Sequence, residues 1–390
     1  MKINVKKRHG RRNLFLAIIV GLILLALCGV WLKSYGVNNH GLTQHITKPV
    51  IVVKDKIIPI QNTYGIAAGS SLTHVDSQTM LEQLDGIAAL GVQWVRLDFD
   101  WSIVQPDDSH TFDWSHYDKI VAAANDRHLN ILGILAYTPS WARSSTCPDS
   151  SKCAPADPAQ FAAFASAAAT RYASQGVHYW EIWNEPNSHD FWKPKSDPVA
   201  YVELLKQTWT SLKKADSKAF IITAGLSPQA DTDVSYSPIS FLAGVYKAGG
   251  KDYFDAVGDH PYTFPLSPKS KENHAWNQMV ATNKSLRQIM VSNGDGDKKI
   301  WVTEFGAPTG GPGTVYLVDE NQQKQMILDA LTLFKSYSWA GPFFWYSYKD
   351  AGNTPDTNEN FFGLVRYDST PKPAYNTFKD WISNNSLTNH

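Results

Sequence analysis

Sulfur and charge are both scarce in this sequence: three cysteines, five methionines and 18% charged residues in 390, with 36 basic residues against 36 acidic ones. So few cysteines exclude a disulfide-stapled small-domain scaffold, and a chain of this length has to be held by a large apolar core. The balanced charge hides an asymmetry. Six basic residues and no acid stand before Asn13 (Lys2, Lys6, Lys7, Arg8, Arg11 and Arg12), leaving the rest mildly acidic. An acidic body lacks the basic footprint of a nucleic-acid binder, so no nucleic-acid partner is expected. Internal repeats and low-complexity segments are missing as well. The first β-rich run, YGIAAG at 64–69, is not followed by G-x-G-x-x-G, which argues against a doubly wound nucleotide-binding sheet. Nor does it hold the H-x-H pair of a metal-dependent barrel hydrolase.

What the sequence does have is one long apolar run. Residues 14–32, LFLAIIVGLILLALCGVWL, carry no charge. As a helix rising about 1.5 Å per residue they nearly match a hydrocarbon core of about 30 Å. The alternative, a cleaved secretory signal, calls for a shorter apolar region and a small-residue cleavage site, and none stands near Lys33. A transmembrane signal-anchor is therefore expected, with the basic tail over residues 1–13 cytoplasmic and everything after Lys33 exported. Residues 33–62 read as a linker. Cys147 and Cys153, six apart in the loop STCPDSSKCAP, are expected to form a small disulfide outside the cytoplasm; the alternative, a zinc site, lacks a second ligand pair.

From residue 63 to about 386 short β-rich runs alternate with amphipathic segments. The expected strands are 64–69, 94–101, 130–137, 178–187, 219–226, 255–262, 299–308 and 342–350. Helical patterns include 76–91, 113–128, 157–174, 197–215, 277–290, 320–337 and 373–383, several opening on Asp, Ser or Pro as helix starts prefer. Strands separated by helices require parallel pairing, and eight such units close a (β/α)8 TIM barrel: one catalytic domain of the α/β class.

In such a barrel the C-terminal strand ends face the active site. Those ends are rich in polar and aromatic residues: Arg96, Asp98 and Asp100 on the second strand; Asn184 and Glu185 on the fourth; Asp259, His260 and Tyr262 on the sixth; Glu304 on the seventh; Trp345 to Tyr348 on the eighth. Two carboxyls converging from opposite walls suit glycosidic cleavage, in which one protonates the leaving oxygen while the other attacks the anomeric carbon or activates water.

WNEPN at 183–187 and WVTEFG at 301–306 resemble the two catalytic-strand motifs of clan A glycoside hydrolases. With TPSWA at 138–142, the pattern is most similar to family 39 and related cellulase-like, exopolysaccharide-degrading enzymes, with family 5 as a neighbour. The resemblance implies Glu185 as general acid/base, Glu304 as nucleophile and Asn184 as a donor to the sugar 2-hydroxyl. It further implies that Arg96 and Tyr262 keep Glu304 ionised, that His260 lines the same subsite, and that Trp345 is the platform beneath the reacting sugar. Trp141, Trp101 and Trp192 are weighed as further stacking residues. Each assignment has a structural rival: Arg96 could serve only to neutralise Asp98, His260 could be a satisfied core histidine, and Trp345 could fill the core.

The expected function is that of a membrane-anchored retaining β-glycosidase, endo-acting on an extracellular or cell-envelope polysaccharide, monomeric and without cofactor or metal. A surface carbohydrate-binding barrel without turnover is the rival, opposed by the presence of both glutamates with Asn184. After the eighth strand about 40 residues remain. That is too few for the β-sandwich common in family 39 xylosidases, so the single-domain polysaccharide-cleaving relatives are the expected match.

Overall fold

The computed structural model describes residues 62–147, 149–280, 283–313 and 315–385. The basic tail, the apolar run at 14–32 and nearly all of the linker lie outside the described residues. Among the described residues no helix is long and apolar enough to cross a membrane.

Eight parallel strands close into one barrel in sequence order. They are Tyr64–Gly69 (β1), Trp94–Asp100 (β2), Asn130–Ala136 (β3), Tyr179–Ile182 (β4), Phe220–Thr223 (β5), Ala256–Asp259 (β6), Lys299–Phe305 (β7) and Ala340–Tyr346 (β8). β1 pairs with both β2 and β8, so the sheet has no edge. The polar tails expected to continue β4 and β6 leave the ladder at Ile182 and Asp259, where they turn to build the barrel mouth.

The connecting helices begin where their sequences say they should. Asp157 and Asp197 accept hydrogen bonds from first-turn amides ahead of Pro158 and Pro198, and Asp319 with Gln322 forms a reciprocal capping box. Two differences from the sequence reading stand out. The single helix expected at 277–290 is two, Ala275–Val280 and Leu286–Ser292, and a helix not among those expected, Pro238–Lys247, follows β5 under the Ser237 cap.

Successive strand side chains point to opposite faces, so two cores form. Inside the barrel Trp94, Trp301, Phe344, Leu132, Ile222, Ala256 and Ala67 make an apolar plug. Its rings meet edge-on (Trp94 with Tyr179 at 4.7 Å) and stacked (Trp301 with Phe220 at 5.6 Å). Gly65 is required against this plug, because a Cβ there would lie 2.5 Å from the Phe344 ring. Outside, residues of opposite parity pack against the helices. Along β2 the inward positions read Trp94, Arg96, Asp98: plug, charged layer, then cleft floor.

β7 breaks this alternation. Val302 pairs with Phe343 and Phe305 with Trp345, so two residues, Thr303 and Glu304, oppose Phe344 alone. Such a bulge places consecutive side chains on one side. Thr303 meets the charged layer and Glu304 enters the cleft.

Candidate active site

The charged layer is centred on Arg96, which is fully buried. Its Nε donates to Glu181 Oε2 at 2.6 Å and its Nη2 to Glu181 Oε1 at 3.1 Å and Asn184 Oδ1 at 2.9 Å. Its Nη1 donates to Glu304 Oε1, and His260 Nε2 lies 3.3 Å from Nη2. A buried guanidinium costs several kcal/mol unless its donors are used, and here each nitrogen has a partner. Burial alone would lower its proton affinity; Glu181 and Glu304 reverse that, so Arg96 stays charged. The rival in which Arg96 serves Asp98 fails: its hydrogen bonds go to Glu181, Glu304 and Asn184.

Glu181, two residues inward along β4 from Trp183, is the residue that sequence reasoning missed. Its Oε1 also accepts from Gly225 N at 2.7 Å and from Thr303 Oγ1 at 3.2 Å. The signal was present: a glutamate at an inward position of a buried strand needs a cation opposite.

Beyond β4 the chain turns sharply. Trp183 (φ 72°) and Glu185 (φ 48°) both adopt left-handed backbone, a strained choice for side chains of this size. The turn is held by Glu185 N donating to Gly225 O at 3.2 Å and by the Trp183 indole N–H donating to Phe191 O at 2.7 Å. Its effect is to aim Glu185 into the mouth. Gly225 is needed there, since a Cβ would sit 2.0 Å from His260 Nε2 and 2.6 Å from Thr303 Oγ1.

The two glutamates meet above this layer. Glu304 Oε2 accepts from the Tyr262 hydroxyl at 2.7 Å, and His260 Nδ1 lies 2.8 Å from Glu185 Oε1 and 3.6 Å from Glu304 Oε2. One carboxylate oxygen of each glutamate lies within 4.8 Å of the other and of a His260 nitrogen. Burial raises the Glu304 proton affinity, but His260, Arg96 and the Tyr262 hydroxyl outweigh it and hold the carboxyl below its ordinary value. Burial opposes a charge on His260, yet Glu304 and Glu185 hold its pKa above the ordinary value. Tyr262, pushed well up by burial and by Glu304, remains a neutral donor.

A cleft of about 640 Å³ opens over these groups, lined by Asp98, Asn184, Glu185, Tyr262 and Glu304 at its floor and by Tyr137, Phe191, Phe264, Tyr346 and Phe362 around it. Several expected residues are elsewhere. Trp345 is wholly buried on the helix side of β8, its ring 6.0 Å from Phe305, and cannot be a sugar platform. The inward parity falls on Phe344 and Tyr346, and Tyr346 lines the cleft instead. Trp141 is only half-buried, but its indole donates to Gln105 O at 2.8 Å and its ring meets Trp101 edge-on. It lies outside the cleft lining, while Trp101 and Trp192 are buried in the core. His260 sits beneath both carboxyls, out of reach of a sugar, rather than on the subsite wall. Cys147 and Cys153 are joined, closing a loop that carries Lys152 into the cleft.

The model of the cellulase family, glycosyl hydrolase family 5, matches residues 60–351. No curated protein matches the sequence. Among solved structures, the chain is similar to a family 39 glycoside hydrolase from the gut symbiont Bacteroides cellulosilyticus, with 24% identity and TM-score 0.62, covering 83% of this chain and 64% of that one. It is also similar to a monomeric β-xylosidase from Caulobacter crescentus (19%, TM-score 0.60, 82% and 68%) and to a family 1 β-glucosidase from Thermotoga maritima (13%, TM-score 0.58, 85% and 99%). At these identities the likeness is one of fold. The chain thus spans under two thirds of the Bacteroides enzyme. The sequence motifs placed family 39 first and family 5 beside it; the matched family model is the latter's, inside the same clan. The chain belongs to the cellulase family of glycoside hydrolases, family 5.

Proposed function

We propose that this glycoside hydrolase is a retaining β-glycosidase acting by double displacement. The observation that carries the reading is the closeness of the two carboxylates: one oxygen of Glu185 lies within 4.8 Å of one of Glu304. Retaining enzymes place their carboxyls about 5–5.5 Å apart and inverting ones about 6.5–9.5 Å. Glu304, kept ionised by Arg96 and Tyr262, attacks the anomeric carbon as Glu185 gives its proton to the departing glycosidic oxygen. The resulting glycosyl ester on Glu304 is then opened by water, whose proton returns to Glu185. Asn184, its Oδ1 engaged by Arg96, lines the cleft, and among the described residues nothing accepts from its amide N–H groups, which suits them to a sugar hydroxyl. No step calls for a metal or cofactor.

Aromatic rings on several sides of the cleft suit a polymer that occupies more than one sugar site, which favours endo action on a polysaccharide. The apolar run at 14–32, the basic tail and the Cys147–Cys153 bond favour a catalytic domain held at the outer face of a membrane. Proton NMR of an aryl β-glycoside digest is the test of mechanism: the β-anomer accumulates first, and first appearance of the α-anomer would overturn retention. Glu304→Gln and Glu185→Gln are run beside it; turnover surviving both would sink the assignment.

A further inference from the structure

Three polar groups in the cleft take no part in the double displacement. Asp98 is 8% exposed, sits one inward position above Arg96 on β2, and lines the cleft. Among the described residues no hydrogen bond or ion pair reaches its carboxyl, an arrangement that buried carboxyls avoid. Lys152 enters from the disulfide-closed loop, next to the fully buried Cys153. Its Nζ lies over the Tyr137 ring and 5.0 Å from that of Phe191, with no carboxylate partner. Tyr137, just beyond β3, also lines the cleft, and among the described residues its hydroxyl has no hydrogen-bond partner.

Resting on the glycosidase reading above, we propose that Asp98 and Lys152, with the Tyr137 ring beneath the ammonium, form a specificity corner that recognises two neighbouring free hydroxyls on a neutral sugar ring. A carboxylate that accepts beside an ammonium that donates complements a diol, whose oxygens do both. The surroundings decide against an anionic sugar. Asp98, Asp100 and Glu185 all act on Lys152, and a uronate brought there would meet three carboxyls around one cation. Burial pushes Asp98 up to about 7 and brings Lys152 down to about 8, so both groups are costly to charge in the empty cleft and gain from hydroxyl partners. The disulfide is then a positioning element, fixing the one cation that lines the cleft among the described residues.

The test uses the intact protein on 4-nitrophenyl β-glycosides of the gluco, galacto, manno and xylo series, the best of these then being compared with its monodeoxy analogues and with the glucuronide. Wild type should lose about 100-fold in kcat/KM on removal of either of two adjacent hydroxyls. Asp98→Asn should lose a similar factor on the parent, yet lose no more than about threefold further on one of those analogues, and Lys152→Met should behave likewise toward the other, as coupled partners do. Equal losses on the parent and every analogue, or no loss on the parent, would overturn the corner. So would a preference for the glucuronide that Lys152→Met abolishes and Asp98→Asn leaves intact. Melting curves of both variants guard against misfolding, and both substitutions keep side-chain size. Failure of wild type on every glycoside would instead remove the glycosidase reading and this one with it.

Discussion

Around Glu304 each neighbour sets a measurable property. Its carboxyl is held below the ordinary value, so it contributes stability above the usual carboxylate range and loses that contribution as pH falls through the depressed value. His260 is the opposite case: held above its ordinary value, it contributes most below about 6.5 and loses this as pH rises through the raised value. Removing the Tyr262 hydroxyl takes away one of the groups that favour ionised Glu304. Tyr262→Phe should therefore move the acidic limb of the kcat/KM pH profile upward, a change read directly from initial rates. Arg96→Met is expected to be far harsher. It would take from buried Glu181 and from Glu304 the cation that pairs with both, at a cost of about 3–5 kcal/mol measured by denaturant unfolding.

Among the elements, the strand ends do the positioning. Gly225, just beyond β5, donates to Glu181, accepts from Glu185, and leaves the space that the His260 ring occupies. Gly225→Ala should displace His260 from between the two glutamates, lowering kcat about tenfold or more while destabilising by about 1–3 kcal/mol. Activity and melting temperature retained together would contradict this account. The strands themselves were legible because buried parallel strands read as continuous apolar runs bounded by turn residues, and Tyr64–Gly69 stands at its expected position. Pro238–Lys247 went unread although its signals are present: Ser237 caps it ahead of Pro238, and its buried residues Pro238, Phe241, Leu242, Val245 and Tyr246 keep the helical spacing.

For the molecule as a whole, the barrel and its two glutamates could be read from motif and order, because opposed strand ends are fixed once eight parallel units close. What escaped was anything set by a side chain's facing direction. Trp345 and Tyr346 are adjacent and both aromatic, and only the register of β8 decides that the second reaches the cleft. Glu181 and Lys152 escaped for a related reason: one partner lies on another strand and the other in a loop whose path the disulfide determines. The irregular pairing of β7 carries the largest consequence. Because Glu304 owes its place above the charged layer to one surplus residue between Val302 and Phe305, a shortened strand would be free to pair evenly with β8 and draw residue 304 down opposite Phe344, into the layer that Thr303 occupies and out of the cleft. Deleting Thr303 should then yield a protein with an undisturbed circular dichroism spectrum and no hydrolysis. Length, as much as chemistry, is thus under constraint at this strand, and an insertion or deletion there would silence the enzyme without touching either acid.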